Sequence, residues 1–134
     1  MKPFYRIVFI FSLMLASITS SAQSKGFDVF IPISKYISQG NADAVSVWFA
    51  DNLEIGILDK GVNSSRSQAC QILRSFFGNY TPRSFSIMHT ANRANMKYVL
   101  GELKAGGETF HVTIFASCID DNYKIQQFVV ERAE

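Results

Sequence analysis

The sequence predicts an α+β fold in which helices come first and an antiparallel sheet follows. Apolar residues recur at helical spacing as far as Phe76, whereas after Pro82 they alternate with polar residues to the end of the chain. That second pattern is sustained over four runs with short connections, which predicts a four-stranded meander. We therefore expect three N-terminal helices wrapped by a curved antiparallel sheet around one core.

The first 22 residues are typical of a cleavable export signal. Basic Lys2 and Arg6 precede a compact apolar run from Ile7 to Leu15, and the small residues 20–22 close the segment. The run is shorter than the roughly 20 apolar residues that span a bilayer. We therefore expect a periplasmic or secreted protein, with one domain from Gln23 to Glu134 and no membrane span after cleavage.

The charge pattern argues against a nucleic-acid partner. Loss of Lys2 and Arg6 leaves equal numbers of basic and acidic residues, and the remaining cations are spread singly along the chain. Metal and cofactor signatures are missing as well, because there is no CxxC, no HExxH and no glycine-rich phosphate loop, and His occurs twice. We expect no metal, no cofactor and no nucleic acid.

Two helices are predicted before the first strand. Phe30–Ile37 has helical periodicity, with Pro32 in the tolerant first turn and Gly40 as the stop. Asn41 can cap a second helix. The apolar stripe of that helix is Ala44, Val45, Trp48 and Phe49.

A short strand and a third helix follow. Residues 53–58 alternate in the manner of a strand, and residues 59–64 are rich in turn formers. Ser65 and Gln68 have the spacing of a capping box, which predicts the start of the third helix. Gly78 and Asn79 end it.

The four later runs predict both the pairing and the faces of the sheet. A two-residue turn at Gly106 and Gly107 places Leu103 opposite Phe110. One face then holds Val99, Val112 and Ile114, which is the natural seat for the helices. The opposite face holds Tyr98, Leu100, His111, Thr113 and Phe115. That face is more apolar than a solvated face needs to be, so we expect a homodimer through Tyr98, His111, Thr113 and Phe115.

The residues from Trp48 to Ile55, with the surrounding order of helices and strands, resemble the nuclear transport factor 2-like superfamily. Segments 30–37, 80–85 and 126–128 resemble a bacterial exported family of unknown function, domain of unknown function family 4783. The resemblance covers nearly all of the mature chain and implies a cone in which three helices close the concave side of the sheet around a pocket. Relatives include isomerases, dehydratases, hydrolases and binding or dimerisation modules, so it implies an architecture and no particular reaction.

Two residues are candidates for acid-base chemistry. Asp51 matches an acidic position common in the superfamily, although at a helix-strand junction we interpret it as a ligand of backbone amides. His89 alternates with Phe85 and Ile87, which predicts that it points to the core or the pocket mouth. His111 is expected opposite Glu102 as a cross-strand pair.

A ligand in the cone pocket would meet a mixed set of side chains. The candidate ligand-binding residues are Tyr36, Trp48, His89, Tyr98, Gln126 and Gln127. Simple packing is the alternative for the aromatic members. The strand parity after the turn at residues 120–122 leaves open which glutamine faces the pocket.

Cys70 and Cys118 either form a disulfide or serve as small buried hydrophobic residues. The even count and the expected export permit the bridge. Neither cysteine has the surroundings of a nucleophile.

Two functions fit these observations. The first is a non-enzymatic exported domain that binds a small apolar ligand or another protein through the cone pocket or the sheet face. The alternative is a ketosteroid-isomerase-like isomerase or dehydratase in which His89 or Asp51 is the acid-base group and Tyr98 or Tyr36 donates a hydrogen bond.

Overall fold

The structure is a computed structural model that describes residues 28–133. The predicted export signal, residues 1–22, lies outside this range. The elements are α1 (Phe30–Gln39), α2 (Ala42–Ser46), β1 (Phe49–Ile57), β2 (Val62–Ser65), α3 (Arg66–Asn79), β3 (Pro82–Arg93), β4 (Met96–Ala105), β5 (Glu108–Ile119) and β6 (Asn122–Arg132). Within this part of the chain, no helix has both the length and the apolar character that crossing a membrane requires.

Helix α1 forms as predicted. Phe30, Ile33 and Ile37 are buried on one side of it. Gly40 ends the helix in the left-handed region, with φ of 70°, and its N–H donates to the Ile37 carbonyl at 3.0 Å. Gly40 therefore ends the helix as predicted, because glycine adopts a positive φ without steric cost.

Helix α2 is shorter than predicted. Asn41 caps it, accepting from the Ala44 N–H at 3.1 Å, but the helix ends at Ser46. Trp48 and Phe49 leave the helix because β6 binds their backbone. The Trp48 carbonyl accepts from the Ile125 N–H at 2.7 Å, and Phe49 already pairs with Ile125 as the first residue of β1. Tertiary pairing overrides the weak helix preference of these aromatic residues.

Strand β2 lies where the sequence predicts a turn. It pairs antiparallel with β1 through Val62–Ser65, and only Ser64 is buried, so no apolar alternation marks it in the sequence. The capping box that follows is confirmed. The Ser65 hydroxyl accepts from the Gln68 N–H at 3.3 Å, and the Gln68 side chain accepts from the Ser65 N–H at 3.4 Å.

The predicted meander is confirmed, and the sheet is larger than the meander. Its strand order is β2-β1-β6-β5-β4-β3, and β1 runs parallel to β6 while the other pairs are antiparallel. Gly106 and Gly107 turn between β4 and β5 with φ of 58° and 80°. Leu103 pairs with Phe110 as expected, because two glycines with positive φ form the turn that suits a hairpin.

One face of the sheet forms the core together with the helices. Val99, Val112 and Ile114 are fully buried there, as predicted from their alternation. Phe110 packs edge-on against Phe76 of α3, with ring centroids 5.2 Å apart. We call this side of the sheet the inner face. Helices and a curved six-stranded sheet that share one core confirm the α+β class.

Candidate functional site

The opposite side of the sheet carries a continuous set of partly buried side chains. Across β6, β5, β4 and β3, one row of cross-strand partners is Val129, Thr113, Leu100 and His89, and the next is Gln127, Phe115, Tyr98 and Ala91. We call the outward positions of β3–β6 the outer face. The residues that the alternation assigned to it, Tyr98, Leu100, His111, Thr113 and Phe115, all lie there, because their strand neighbours are buried.

A hollow opens in the outer face near the β3–β4 hairpin. Its volume is about 380 Å³. The residues that line it are Ala91, Arg93, Met96, Lys97, Tyr98 and Phe115. Tyr98 and Phe115 are cross-strand partners, so the hollow lies over the middle strands. Its size suits a small apolar ligand or one large side chain of a protein surface.

Two rows of the outer face carry charges of opposite sign. Arg93 and Lys124 lie in the row nearest the β3–β4 hairpin, which we call the basic row. Three rows away, His111 pairs with Glu102 on one side and Glu131 on the other, and we call these three residues the acidic row. The expected register of His111 with Glu102 is confirmed. The two rows are separated by about 20 Å, the length of six extended residues.

His89 lies on the outer face rather than toward the core or a pocket mouth. The register shifts between Ile87 and His89, which leaves Met88 as an extra residue in β3. A bulge of this kind reverses the direction of every later side chain. His89 is consequently exposed and contacts Tyr98, with ring centroids 6.4 Å apart.

Asp51 is a residue of strand β1, and its side chain is 90% exposed. It accepts from the Arg66 guanidinium at 2.7 Å, and Arg66 also donates to the Phe49 carbonyl at 3.1 Å. The expectation that Asp51 binds backbone amides is wrong, since an arginine at the start of α3 occupies it. An exposed, arginine-paired carboxylate lacks the apolar enclosure that acid-base catalysis needs.

The six candidate ligand-binding residues are not brought together. Tyr36 and Trp48 are partly buried and pack against the core. Gln127 lies on the outer face and donates to the Glu54 carboxylate at 3.0 Å. Gln126 is the extra residue where the β5–β6 register shifts. His89 and Tyr98 share the outer face with Gln127, so the set is divided between the outer face and the packing around the core.

Cys70 and Cys118 are not bonded to each other in the structure. Cys70 is buried on α3, and its thiol donates to the Asp43 carboxylate at 3.3 Å. The hydrogen bond from Arg74, then that from Cys70, lowers the pKa of Asp43 below its ordinary value of 3.8. Cys118 is partly buried near the end of β5, where its backbone N–H donates to the backbone carbonyl of Asn95.

One groove has no counterpart among the sequence predictions. It lies between β2 and α3, has a volume of about 710 Å³, and includes Val62, Gln71 and Asn79 in its lining. The sequence of residues 59–64 predicts a turn, and without strand β2 one wall of this groove is missing, so the groove could not be predicted. A signal does exist in the sequence, since Gln71, Ser75 and Asn79 form an uncharged polar stripe at i, i+4 and i+8.

The fold and the order of its elements agree with known structures. A DUF4783 family protein from Bacteroides uniformis has a TM-score of 0.76 at 21% identity, covering 80% of this chain and 99% of that chain. One from Bacteroides ovatus has a TM-score of 0.74 at 18% identity, covering 77% and 94%. An NTF-2 like protein of unknown function from Silicibacter pomeroyi has a TM-score of 0.58 at 12% identity, covering 91% and 98%. These likenesses establish an NTF2-like fold.

The family follows from the sequence itself. The family model described as domain of unknown function (DUF4783) matches residues 30–131, so the chain belongs to that family. No curated protein matches the sequence. The resemblance inferred from segments 30–37, 80–85 and 126–128 is therefore confirmed, and it brings a fold without an assigned reaction.

Proposed function

We propose that this chain is an exported, non-enzymatic interaction domain that works as a homodimer joined through the outer face. The observation that carries the proposal is the apolar middle of that face. Leu100, Phe115 and Val129 stay partly exposed there, while the inner face of the same strands is closed by helices. Contiguous apolar surface on a sheet is usually covered by something. A second copy is the economical partner because it brings a matching face.

The charges of the outer face favour a second copy as the occupant. A twofold axis that lies in the interface and runs across the strands lays the basic row of one copy on the acidic row of the other. An axis parallel to the strands would instead oppose like charges. Electrostatic complementarity of this kind selects the register of a pairing and suppresses the alternatives. The proposal therefore specifies one of the two simple arrangements.

The outer face is large enough for this role. Four strands at about 4.8 Å spacing and four rows at about 6.8 Å spacing give a flat footprint of roughly 500 Å². Projecting side chains make the accessible surface larger than the footprint, and a standard interface buries about 800 Å² per partner. Full coverage of the face thus gives an interface of ordinary size for a specific dimer.

A second candidate function is the binding of a small apolar ligand, and the hollow of the outer face favours it. Tyr98 and Phe115 supply aromatic surface, and the volume of about 380 Å³ lies within the range of ligand sites. The inner face offers less support for a ligand, because Phe49, Phe110 and Phe128 fill the space between sheet and helices. Ligand and second copy would compete for the same surface.

Native mass spectrometry together with light scattering tests the proposal on protein exported by a bacterial host. We expect a dimer, and we expect an intact mass that lacks residues 1–22. Phe115→Asp should weaken the dimer by roughly 100-fold or more, because burying an unpaired charge in an apolar interface is costly. The matched control is Ile31→Asp, since Ile31 is 67% exposed on α1 and lies on the helix side.

The result has distinct outcomes. A wild-type monomer at every accessible concentration, or a dimer that Phe115→Asp leaves unchanged, would overturn the homodimer. A monomer that retains a small apolar molecule lost on Tyr98→Ala would favour the second candidate. Higher salt should weaken the expected dimer, since the paired rows are exposed at the rim of the interface.

A further inference from the structure

The groove between β2 and α3 lies where the core of the protein reaches its surface. Its floor is apolar, because several of the side chains that line it pack in or against the core: Ile57, Leu58, Ile72, Phe76 and Tyr80. Phe76 is buried, and the others are partly buried. They come from the end of β1 and from α3 and the residue after it, so the groove passes from the sheet to the helix layer. Such a floor can contact the apolar side of a small molecule.

The rim of the groove is polar but uncharged. Of the described residues that line the groove, none is Asp, Glu, Lys, Arg or His. The polar members are Asn63, Ser64, Gln68, Gln71, Ser75 and Asn79. The arginines of α3 are engaged elsewhere, since Arg66 pairs with Asp51 and Arg74 pairs with Asp43. The rim can therefore exchange hydrogen bonds with a ligand, but it has no charge that would neutralise an ionic group.

Ser64 is the residue that points to a ligand. It is 6% exposed, and it is the only polar residue among the buried residues of the described chain. Its side chain makes no hydrogen bond within residues 28–133, whereas every fully enclosed side-chain nitrogen or oxygen there has a partner. The Ser64 hydroxyl is therefore not enclosed, and the groove that Ser64 lines is where it is accessible. Buried hydroxyls are normally paired, so a ligand in the groove would supply the partner.

Leu58, in the floor of the groove, has an unusual backbone conformation. Its φ is 63°, in the left-handed region that bulky residues rarely adopt, because Cβ then approaches the following carbonyl oxygen. The Leu58 N–H donates to the Val130 carbonyl at 2.9 Å, which holds the conformation. Glycine would adopt it at a lower cost. The sequence thus places a leucine side chain in the floor at some cost in stability, as is common at functional sites.

We propose that the groove binds a neutral saccharide, whose C–H face lies on the apolar floor and whose hydroxyl groups bond to the rim. A hydroxyl group both donates and accepts, and so do the serine hydroxyls and the side-chain amides of the rim. A carboxylate or phosphate only accepts, an ammonium group only donates, and each would be desolvated here without an opposite charge.

The dimensions of the groove suit such a ligand. Its volume of about 710 Å³ lies within the range of small-molecule sites. Gln71 and Asn79 are eight residues apart on α3, so the helix side of the rim is about 12 Å long. A disaccharide or a longer chain therefore fits along it. The site is separate from the outer face and does not depend on the homodimer.

NMR titration of the labelled chain with neutral disaccharides tests the proposal. The probes are disaccharides of glucose, galactose, mannose and N-acetylglucosamine, each matched by the same disaccharide with one ring oxidised to a uronic acid. We expect at least one neutral probe to shift the side-chain amide signals of Asn63, Gln71 and Asn79. Its uronic acid counterpart should bind about tenfold more weakly, because the groove offers its charge no partner. The backbone signal of Phe115 on the outer face should not move.

The variant Ser64→Ala separates a binding role from a structural one. Loss of the hydroxyl should weaken binding of the disaccharide about fivefold or more, which is the effect of one hydrogen bond. It should not lower the unfolding temperature, because the hydroxyl has no partner in the free protein. A hydroxyl that served the fold would give the opposite pattern. Ser38→Ala is the matched control, since that hydroxyl donates to the Lys35 carbonyl on α1 and does not line the groove.

A second variant lies at an exposed position, where folding tolerates the change. Gln71→Ala should weaken binding about fivefold, and Gln39→Ala, the same change at the end of α1, should leave it unchanged. The proposal would be overturned if no neutral probe shifts the groove signals, or if the uronic acid counterparts bind equally well. Binding that survives both Ser64→Ala and Gln71→Ala would overturn it too, because the saccharide would then occupy another surface.

Discussion

The inner and outer faces of β4 and β5 are built from alternate residues of the same two segments, and both faces are rich in apolar side chains. On the inner face, Val99, Val112 and Ile114 are fully buried beneath helices. On the outer face, Leu100 and Phe115 are only partly buried, because none of the helices within residues 28–133 packs over them. The burial of the inner face is required for folding. The apolar character of the outer face is not, and it is the reason to expect a partner there.

The largest difference between the faces is expected when a phenylalanine is removed from each. Phe110→Ala should lower the free energy of unfolding by about 3 to 5 kcal/mol, because the ring is fully buried against Phe76 and Tyr80. Phe115→Ala should cost about 1 kcal/mol or less in dilute protein, because its site is partly exposed already. Urea unfolding of both variants at low concentration measures the difference.

Raising the protein concentration sharpens this comparison. If a second copy covers the outer face, the cost of Phe115→Ala grows with concentration, because association stabilises only the wild-type dimer. The loss of unfolding free energy in Phe110→Ala should not depend on protein concentration, because Phe110 lies on the inner face. Equal costs for the two variants in dilute protein would mean that the outer face is already part of the folding core, and the distinction between the faces would fail.

A smaller effect is expected where the inner face reaches β3. Gly101 has no side chain, and a Cβ there would lie 2.2 Å from the tip of the Phe85 ring. Gly101→Ala should therefore cost about 1 to 3 kcal/mol through overpacking. Gly78→Ala is the matched control, because nothing lies within 4 Å of a Cβ at that position of α3. The control should gain about 0.5 to 1 kcal/mol from helix propensity.

Thermal unfolding of the two glycine variants checks this prediction. Opposite signs for Gly101→Ala and Gly78→Ala would mean that the Phe85 ring is held tightly over β4. If Gly101→Ala leaves the unfolding temperature unchanged, the Phe85 ring moves away from the new methyl group at no cost in stability. Close packing of the inner face would then end at β4.

The faces of the sheet could be predicted because their information is local. Gly106 and Gly107 fix the hairpin, and the alternation on both sides of it then assigns each side chain of β4 and β5 to a face. The capping box at Ser65 was likewise predictable from residues three positions apart. In each case the pattern and the structure it specifies lie in the same short segment.

The features that could not be predicted depend on partners that are distant in sequence. Phe49 belongs to a strand because Ile125 pairs with it, and β2 exists because the backbone of β1 is beside it. His89 lies on the unexpected face because of an extra residue at Met88, for which the alternation gives no signal. The candidate ligand-binding residues are therefore divided between the outer face and the packing around the core. The groove with an uncharged lining beside β2 could not be predicted, because the sequence of β2 predicts a turn.

The smallest effect is expected from an exposed ion pair in the helix layer that covers the inner face. Asp43 of α2 pairs with Arg74 of α3, and both side chains are largely exposed. The pKa of Asp43 is lowered in the folded state, so the pair contributes its full stability above the ordinary pKa of 3.8. That contribution is lost as the pH falls through the lower folded pKa. Asp43→Asn should thus lower the unfolding temperature slightly at neutral pH, with the difference disappearing in acid.

A double-mutant cycle with Arg74→Met identifies the origin of this difference. In the Arg74→Met background, Asp43→Asn should lose most of its effect at neutral pH, because the principal partner that lowers the pKa is gone. A large effect of Asp43→Asn at neutral pH, lost both in acid and in the Arg74→Met background, would contradict the comparison between the faces. It would mean that a surface charge, and not apolar burial, fixes the helices over the inner face. Apolar side chains would then not explain why helices cover the inner face. The same argument for a partner on the apolar outer face would lose its support.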